Sequence, residues 1–342
     1  MALGLVGALL LGSPATAQAG LVDGQYVINQ ASDITWQLVL EAPHAWSYHT
    51  VQQRTLDDGQ GSMVTLRESL KVQGKGSLTS PFRLDFEAVV GQQPAAASNN
   101  RWRAAYDAHA GLIHRHGAFA VRDARQAKKN YRLISFGDAS RAGRAAWRVV
   151  IFPLRLDKGI WVVDLDRQTG VPLYRAEYNS NGKLISELEV TSFSLMQASA
   201  RVRNAWRPRL EVSRLTKLNQ VASRLSRQPA HPEVGGIMND YEQHMMHMTE
   251  DPLNGDKALV LGYTDGVDEF FIVQEFGRLD PLRIPRAFDD EEAHTIASYD
   301  DPHMRVYVFH HDSVTYKVVG RASLMRLQDV ARHFCHQVVT TQ

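Results

Sequence analysis

Apolar and polar residues alternate along much of the first two thirds of the chain. A period of two is typical of strands with one buried face, and turn residues separate the alternating segments. In residues 80–90, for example, Phe82, Leu84 and Phe86 share one face. The alternating segments are SMVTLRESLKVQ (62–73), SPFRLDFEAVV (80–90), RAAWRVVIFPLR (144–155), GIWVVDLD (159–166), VPLYRAEYN (171–179) and LISELEVTSF (184–193). Because few helical patterns interrupt them, they predict one large antiparallel sheet.

The stretches between these segments complete the predicted first domain. Residues 101–117 (RWRAAYDAHAGLIHRHG) alternate on both sides of a glycine, which predicts two strands and a turn, with His114 and His116 on one face. Helices are expected near 31–42 and 121–130. We therefore predict an α+β fold: a strongly curved antiparallel half-barrel sheet with helices on its concave face, plus a smaller C-terminal α+β domain.

The pattern changes at about residue 198. The next forty residues are rich in Arg, Ser and Pro and lack strand alternation, which indicates a linker. Beyond it, residues 258–276 predict a hairpin that turns at Asp265-Gly266, and residues 305–320 predict a second hairpin. In 322–338, apolar residues recur at helical spacing. The predicted division is a signal peptide at 1–19, a half-barrel domain at 20–197, a linker leading into the second domain at 198–255, and a small sheet-plus-helix domain at 256–342.

The N-terminus has the pattern of a cleavable export signal. An apolar core runs from Leu3 to Leu11, and Ala17-Gln18-Ala19 forms a small-residue cleavage site after Ala19. The core is too short to anchor the chain in a bilayer. No later stretch holds the roughly 18 apolar residues that a spanning helix needs, so we expect no membrane span in the mature chain.

Charge and cysteine content narrow the function classes. Lys and Arg total 38 against 37 Asp and Glu, so the chain as a whole has no field that attracts nucleic acid, and no nucleic-acid partner is expected. Cys335 is the single cysteine, which excludes a disulfide within the chain. A free cysteine beside Phe334 on the predicted last helix suits a buried position.

Candidate chemistry is sparse. The chain lacks the motifs of serine hydrolases, zinc proteases, P-loop proteins and dinucleotide-binding folds, so we predict no catalytic residue, no enzyme and no cofactor. In YEQHMMHM, His244 and His247 would share a helix face, with Met245 nearby as a soft ligand. His109, His114 and His116 form a second possible cluster. A flexible polar segment and a solvated sheet face explain these histidines better than a metal site does, so no metal site is predicted.

Two separate regions of the chain resemble one protein family. Residues 146–195 (AWRVVIFPLRLDKGIWVVDLDRQTGVPLYRAEYNSNGKLISELEVTSFSL) resemble a segment of the LolA-like half-barrel proteins, with its T-G-x-P-L turn and a final N-G-K turn. GYTDGVDEFFIVQE and VTYKVVGRASLMRLQDVARHF resemble the later segments of the MucB/RseB family of periplasmic sigma-E regulators. The resemblance covers about 101–197 and 256–336, in the family's order.

This resemblance implies a periplasmic negative regulator of an extracytoplasmic stress response. Its partner would be the periplasmic domain of a single-span anti-sigma factor, and it could also sense lipid or lipoprotein. A lipid or lipoprotein carrier of LolA type is the main alternative, an exported metal-binding protein is a weaker one, and a homo-oligomer is left open. Candidate partner-binding residues are Tyr263, Asp265 and Gly266. Candidate residues lining a lipid cavity are Phe82, Leu84, Phe86, Trp102, Val149, Ile151, Trp161 and Val163.

Overall fold

A computed structural model describes most of the chain from residue 21 to residue 340. The predicted signal peptide, 1–19, lies outside the described residues. No helix of the described part is long and apolar enough to cross a membrane. The description leaves out 23–24, 27–29, 58–61, 75–79, 94–96, 118–120, 156, 198–199, 208–210, 216, 226–227, 232–238, 251–254, 277–296, 302–303 and 321–326.

Eight antiparallel strands form the larger sheet. Two short strands, β1 (Leu21–Val22) and β2 (Gln25–Tyr26), pair with each other and precede it. The eight strands are β3 (Tyr48–Asp57), β4 (Met63–Val72), β5 (Phe82–Val89), β6 (Tyr131–Arg141), β7 (Arg144–Pro153), β8 (Ile160–Asp166), β9 (Pro172–Tyr178) and β10 (Leu184–Leu195). Their order is β5-β4-β3-β10-β9-β8-β7-β6, so β5 and β6 are the two edges and the sheet stays open. The predicted half-barrel is confirmed.

Three helices cover one face of this sheet: α1 (Trp36–Ala45), α2 (Ala97–Gly117) and α3 (Ala124–Asn130). A 3-10 turn, Ala31–Asp33, precedes α1. Side-chain caps begin two of them, since Thr35 accepts from the amide of Leu38 and Asp123 from that of Gln126. The helices predicted near 31–42 and 121–130 are therefore confirmed.

The prediction for residues 101–117 is wrong, because they belong to α2 and not to two strands. Trp102, Tyr106 and Ile113 are all buried against the sheet. Their spacing of four and seven residues places them on one helix face. Trp102 therefore contributes to the core from the helix, not from a strand. His114 is also on α2, and the side chains of His109 and His116 lie outside the described residues.

The second sheet has seven antiparallel strands in the order β11-β12-β13-β14-β17-β16-β15. The strands are β11 (Glu211–Arg214), β12 (Glu242–Glu250), β13 (Lys257–Thr264), β14 (Glu269–Phe276), β15 (Ala297–Asp301), β16 (Met304–His311) and β17 (Val314–Gly320), and the helices are α4 (Leu218–Leu225) and α5 (Leu327–Thr340). The two predicted hairpins are β13–β14 and β16–β17. Two strands of this sheet, β11 and β12, fall inside the stretch assigned to the linker, 198–255.

The second core lies between this sheet and α5. Leu327, Val330, Ala331 and Phe334 of α5 pack against strand residues such as Phe309. Cys335 is 5% exposed in the same cluster, and burial raises the pKa of its thiol to about 11, so it is a packed and unreactive side chain.

Candidate functional site

The turn between β13 and β14 reaches the half-barrel. Asp265 shapes it, because its Oδ1 accepts from the amides of Val267 (3.0 Å) and Asp268 (2.8 Å). Gly266 has φ +104°, and a Cβ at that position would overlap the backbone of Ala127 on α3. The turn therefore needs glycine both for its conformation and for its close approach to the helix.

Backbone hydrogen bonds fasten this turn to the half-barrel. The amide of Arg122 donates to the carbonyl of Gly266 over 2.7 Å. The Asn130 side chain donates to the carbonyls of Asp265 (2.8 Å) and Asp240 (3.2 Å). Val267 then enters the first core, where it is 2% exposed in a cluster that includes Val149 and Val163. One residue of the second sheet thus completes the core of the first.

A buried ammonium group lies at the centre of this contact. Lys158, in the loop before β8, is 6% exposed and forms ion pairs with Asp265 and, at 2.6 Å, with Asp240. Tyr131 donates to Asp265 Oδ2 over 2.7 Å. The ammonium also lies 4.9 Å from the ring centre of Tyr241 and 5.3 Å from that of Tyr131. We call Lys158, Tyr131, Asp240, Asp265 and Asp268 the junction cluster.

Further charges around the cluster are complementary. The half-barrel contributes cations from α3 and the residues before it, and the second sheet contributes carboxylates. Glu269 is buried between His244 (2.7 Å) and Arg122 (3.4 Å). At the exposed rim, Glu242 pairs with Arg125 (2.9 Å) and Lys129 (3.7 Å).

Burial and neighbouring charges shift the pKa values in the junction cluster. Burial, and then the charge of Asp268, raise the pKa of Asp265 to about 6. Burial would lower the pKa of Lys158, but Asp265 and Asp240 outweigh it and raise that pKa. Burial and then Asp265 raise the pKa of Tyr131 well above its usual value, so its hydroxyl remains a donor. The cluster therefore holds one ammonium group beside several carboxyl groups in a site nearly closed to water.

Two of the predicted partner-binding residues, Asp265 and Gly266, lie at this junction, whereas Tyr263 lies in the second core and stacks on Phe270. Tyr263 and Asp265 are completely buried, and Gly266 touches α3. Sequence patterns found the turn but not the residues that receive it, namely Asn130, Tyr131 and Lys158. The one signal in the sequence that could have indicated this contact was Val267. An apolar residue at the tip of a polar turn indicates that another part of the protein covers the tip.

The predicted cavity-lining residues occupy two neighbouring apolar clusters under the helices. Val149, Ile151, Trp161 and Val163 pack beneath α1 and α3. The other cluster lies beneath α2 and includes Phe82, Leu84, Phe86 and Trp102. Seven of the eight residues are thus strand side chains on the helix-covered side of the half-barrel, and Trp102 packs onto that side from α2.

A polar group is buried beside the α2 cluster. Glu68 is fully buried and accepts from Arg54 Nε over 3.2 Å, from Gln52 and from the hydroxyl of Tyr106 on α2. Burial and the charge of Glu68 raise the pKa of Tyr106 well above its usual value. This network ties α2 to β3 and β4, because each member is hydrogen-bonded in a region of low dielectric.

The half-buried histidines of this region remain neutral. His114 stacks on Phe82, with ring centres 4.1 Å apart. Burial, and then the charge of Arg175, lower the pKa of His114 to about 3. Burial and then Arg122 lower the pKa of His44 to about 4. Neither imidazole carries a charge near neutral pH.

The proposed soft-metal segment is a strand, so its side chains do not share a helix face. Met246 and Met248 are buried in the second core. His244 pairs with Glu269, and His247 is three residues further along β12. The described residues contain no group of three or more His, Cys, Asp or Glu that could hold a metal ion.

The chain therefore belongs to the class of α+β proteins with an open antiparallel half-barrel. The tip of a hairpin from a second, smaller sheet packs against this half-barrel. No family model matches the chain, and no curated protein matches it. Several solved structures are similar to the chain, and those described below are at most 18% identical to it in sequence.

Three of these structures contain MucB. One is a crystal structure of MucB in complex with MucA(peri), which is 18% identical, covers 88% of this chain and 97% of its own, and has a TM-score of 0.46. The MucA/MucB complex of Pseudomonas aeruginosa is 18% identical over 86% and 95%, with a TM-score of 0.45. MucB alone is 17% identical over 87% and 95%, with a TM-score of 0.49.

A fourth similar structure is a putative outer membrane lipoprotein-sorting protein domain from Vibrio parahaemolyticus. It is 14% identical, covers 49% of this chain and 92% of its own, and has a TM-score of 0.19.

Proposed function

We propose that this protein is a periplasmic negative regulator of a sigma-E-type stress response. In this proposal it binds the periplasmic domain of a single-span anti-sigma factor. The main support for this proposal is the contact between the β13–β14 turn and the half-barrel. The Y-T-D-G segment, on which half of the family resemblance rests, is docked on the half-barrel that carries the other half.

The junction supports this function because a partner that contacts two domains binds best when their relation is fixed in advance. Asp265 and Gly266 would then serve the partner by holding the domains together, and Tyr263 would do so by supporting their turn from the second core. Because these residues are buried, we do not expect them to contact the partner directly. The absence of a catalytic motif in the sequence agrees with a binding role.

The test is affinity capture from envelope extracts with the mature chain as bait. We expect a single-span membrane protein with a periplasmic domain to be recovered by the wild type and by Asp85→Asn, a change at a half-exposed ion pair with Arg83. Gly266→Ala should recover much less, since its junction is disrupted. Repeated capture without any single-span protein would contradict the proposed partner.

Lipid or lipoprotein sensing is a second part of the proposal. The apolar side chains beneath α1, α2 and α3 would accept an acyl chain, at roughly 0.8 kcal/mol per buried methylene. Because helix residues now pack on them, a helix would have to move first. A fluorescent fatty acid should therefore bind more tightly when α2 is loosened by Tyr106→Phe. If neither the wild type nor Tyr106→Phe bound the fatty acid measurably, lipid sensing would be contradicted.

A LolA-type carrier is the remaining candidate, favoured by the open half-barrel with apolar residues on its covered face. A carrier should pass a labelled lipid or lipoprotein from donor to acceptor vesicles with no anti-sigma factor present. Transfer by the intact chain, combined with failed capture of a single-span protein, would replace the regulator proposal with the carrier.

A further inference from the structure

Strand β6 is an open edge of the half-barrel. Of the described strands, only β7 pairs with it, and Ile134, Ser135 and Phe136 near its middle are all exposed. The opposite edge, β5, is partly covered, because the amide of Trp206 donates to the carbonyl of Phe82 over 2.8 Å. Backbone amides and carbonyls along the outer side of β6 are therefore available to a further strand.

A β-bulge on this edge carries a large apolar side chain. The register with β7 shifts between Ser135 and Gly137, and Gly137 has φ +110°. Phe136, between these two residues, is 66% exposed, the highest value among the exposed large apolar side chains of the described residues. A bulge can protect an edge from pairing, but protected edges are usually short or carry charges or proline. Strand β6 has 11 residues and instead presents an aromatic ring beside Ile134.

Cations surround the N-terminal end of β6. Arg125, Lys128 and Lys129 of α3 are exposed, and so is Arg132 at the start of the strand. Among the described residues, Glu242 is the one carboxylate that pairs with this group, through Arg125 and Lys129. The end of the strand therefore has an excess of positive charge, which is complementary to an acidic ligand.

We infer that the β6 edge is a strand-addition site for an extended segment of a partner protein, with apolar side chains that contact Ile134 and Phe136 and acidic residues directly after them. The segment pairs antiparallel with β6, as neighbouring strands do throughout this sheet. The C-terminal end of an antiparallel strand lies beside the N-terminal end of β6, where the cations are, so the acidic residues follow the apolar ones. This inference goes beyond the regulatory role proposed above and does not depend on it.

Binding of synthetic peptides to the full chain, followed by fluorescence anisotropy, tests this site. The probe is a labelled peptide of alternating Val and Thr that ends in a short run of Glu, and we expect the wild type to bind it. The same peptide with its Glu residues at the N-terminus should bind more weakly, because its charge then lies away from Arg132. A proline in the middle of the peptide should abolish binding, since it removes a backbone donor. In the complex, amide hydrogen exchange should slow within 132–138.

Variants at exposed positions separate the two parts of the site. Phe136→Ser should weaken binding of the probe about tenfold, because an apolar contact is lost. Arg132→Glu should also weaken it, and by less at high salt, where the charges are screened. Val90→Ser after β5 and Arg103→Glu on α2 are the matched controls and should bind like the wild type. The inference is overturned if the wild type does not bind the probe, if Phe136→Ser binds it fully, or if the proline peptide binds equally well.

Discussion

At the scale of single residues, one ammonium group decides whether the junction carries an uncompensated charge. Lys158 is buried with Asp240 and Asp265, and removal of one partner from such a group leaves the others in a site of low dielectric. The penalty for an unpaired buried charge exceeds the net value of the original ion pair.

We therefore predict that Lys158→Met lowers the free energy of unfolding by about 3–5 kcal/mol at pH 7. Urea denaturation followed by tryptophan fluorescence measures it. Arg155→Ala, which removes an exposed ion pair with Asp157, is the control and should cost at most about 1 kcal/mol. Equal effects of the two variants would show that the junction cluster is not a buried network.

The half-buried histidines predict that acid destabilises the half-barrel. The pKa of His114 is lowered to about 3, so the folded state holds the neutral ring while the unfolded chain takes up a proton below about pH 6.5. This contribution to stability is complete above pH 6.5 and decreases as pH falls toward 3. Thermal unfolding between pH 7 and pH 4 should therefore show a smaller loss of Tm in His114→Phe. His336→Phe, at an exposed position on α5, should lose as much as the wild type.

Residue-level prediction from sequence had a clear limit at this site. Asp265-Gly266 was found because a short Asp-Gly turn has a local chemical signature. Lys158 was missed, because Asp-Lys-Gly before a strand has the same pattern as any solvated turn. Its partner is 107 positions away, and only the folded chain brings the two together.

At the scale of elements, α2 is held against the sheet by apolar packing and by one hydrogen bond among these apolar side chains. Tyr106 reaches Glu68 through the layer formed by Trp102 and Ile113. Short alternation around its histidines suggested strands, because four or five residues fit a period of 2 and a period of 3.6 almost equally well. The spacing of Trp102, Tyr106 and Ile113 over a longer window was the better signal.

Tyr106→Phe should destabilise the protein by about 1 kcal/mol, because it removes a hydrogen bond to Glu68 while Arg54 and Gln52 still satisfy the carboxylate. Amide protection should decrease mainly in α2. Tyr178→Phe, at a half-buried position of β9, should change stability by less than about 0.5 kcal/mol. Uniform loss of protection over the whole sheet would contradict a local anchoring role.

The β13–β14 turn is the second element whose sequence is tightly constrained. Gly266→Ala should cost at least about 2 kcal/mol, because it combines an unfavourable φ with overlap on α3. Gly182→Ala has a similar φ of +78° but open space around it, so it isolates the strain term and should cost less. Chemical denaturation of both variants gives the difference, and equal costs would mean that the turn does not press on α3.

At the scale of the whole molecule, Val267 in the turn of the second sheet is part of the hydrophobic core of the half-barrel. We predict that the wild type unfolds in a single calorimetric transition, because loss of either sheet exposes core residues of the other. Val267→Ser should split the transition in two. Val314→Ala, which touches only the second core, should lower Tm without splitting it. A single transition in Val267→Ser would contradict coupling through this side chain.

The general architecture was predictable at this scale, but the extent of the second sheet was not. Alternation over six segments identified the large antiparallel sheet, since each strand has one buried face, and the family resemblance indicated that this sheet is a half-barrel. Strands β11 and β12 were hidden in a polar stretch rich in His, Met and Arg, and among their described side chains Met246 and Met248 point into the core. A strand whose exposed face resembles a linker gives little local signal.

The insertion of the β13–β14 turn also has a consequence for the order of folding. Tyr131 and Asp265 meet across 134 positions of sequence, and Lys158 and Asp265 across 107. Such distant contacts carry a large entropic cost of loop closure and slow the search for the native state. As the chain emerges from the ribosome, the half-barrel's own strands are complete long before residue 267 is available to fill its core. The protein is therefore expected to remain incompletely folded until most of its length has been made.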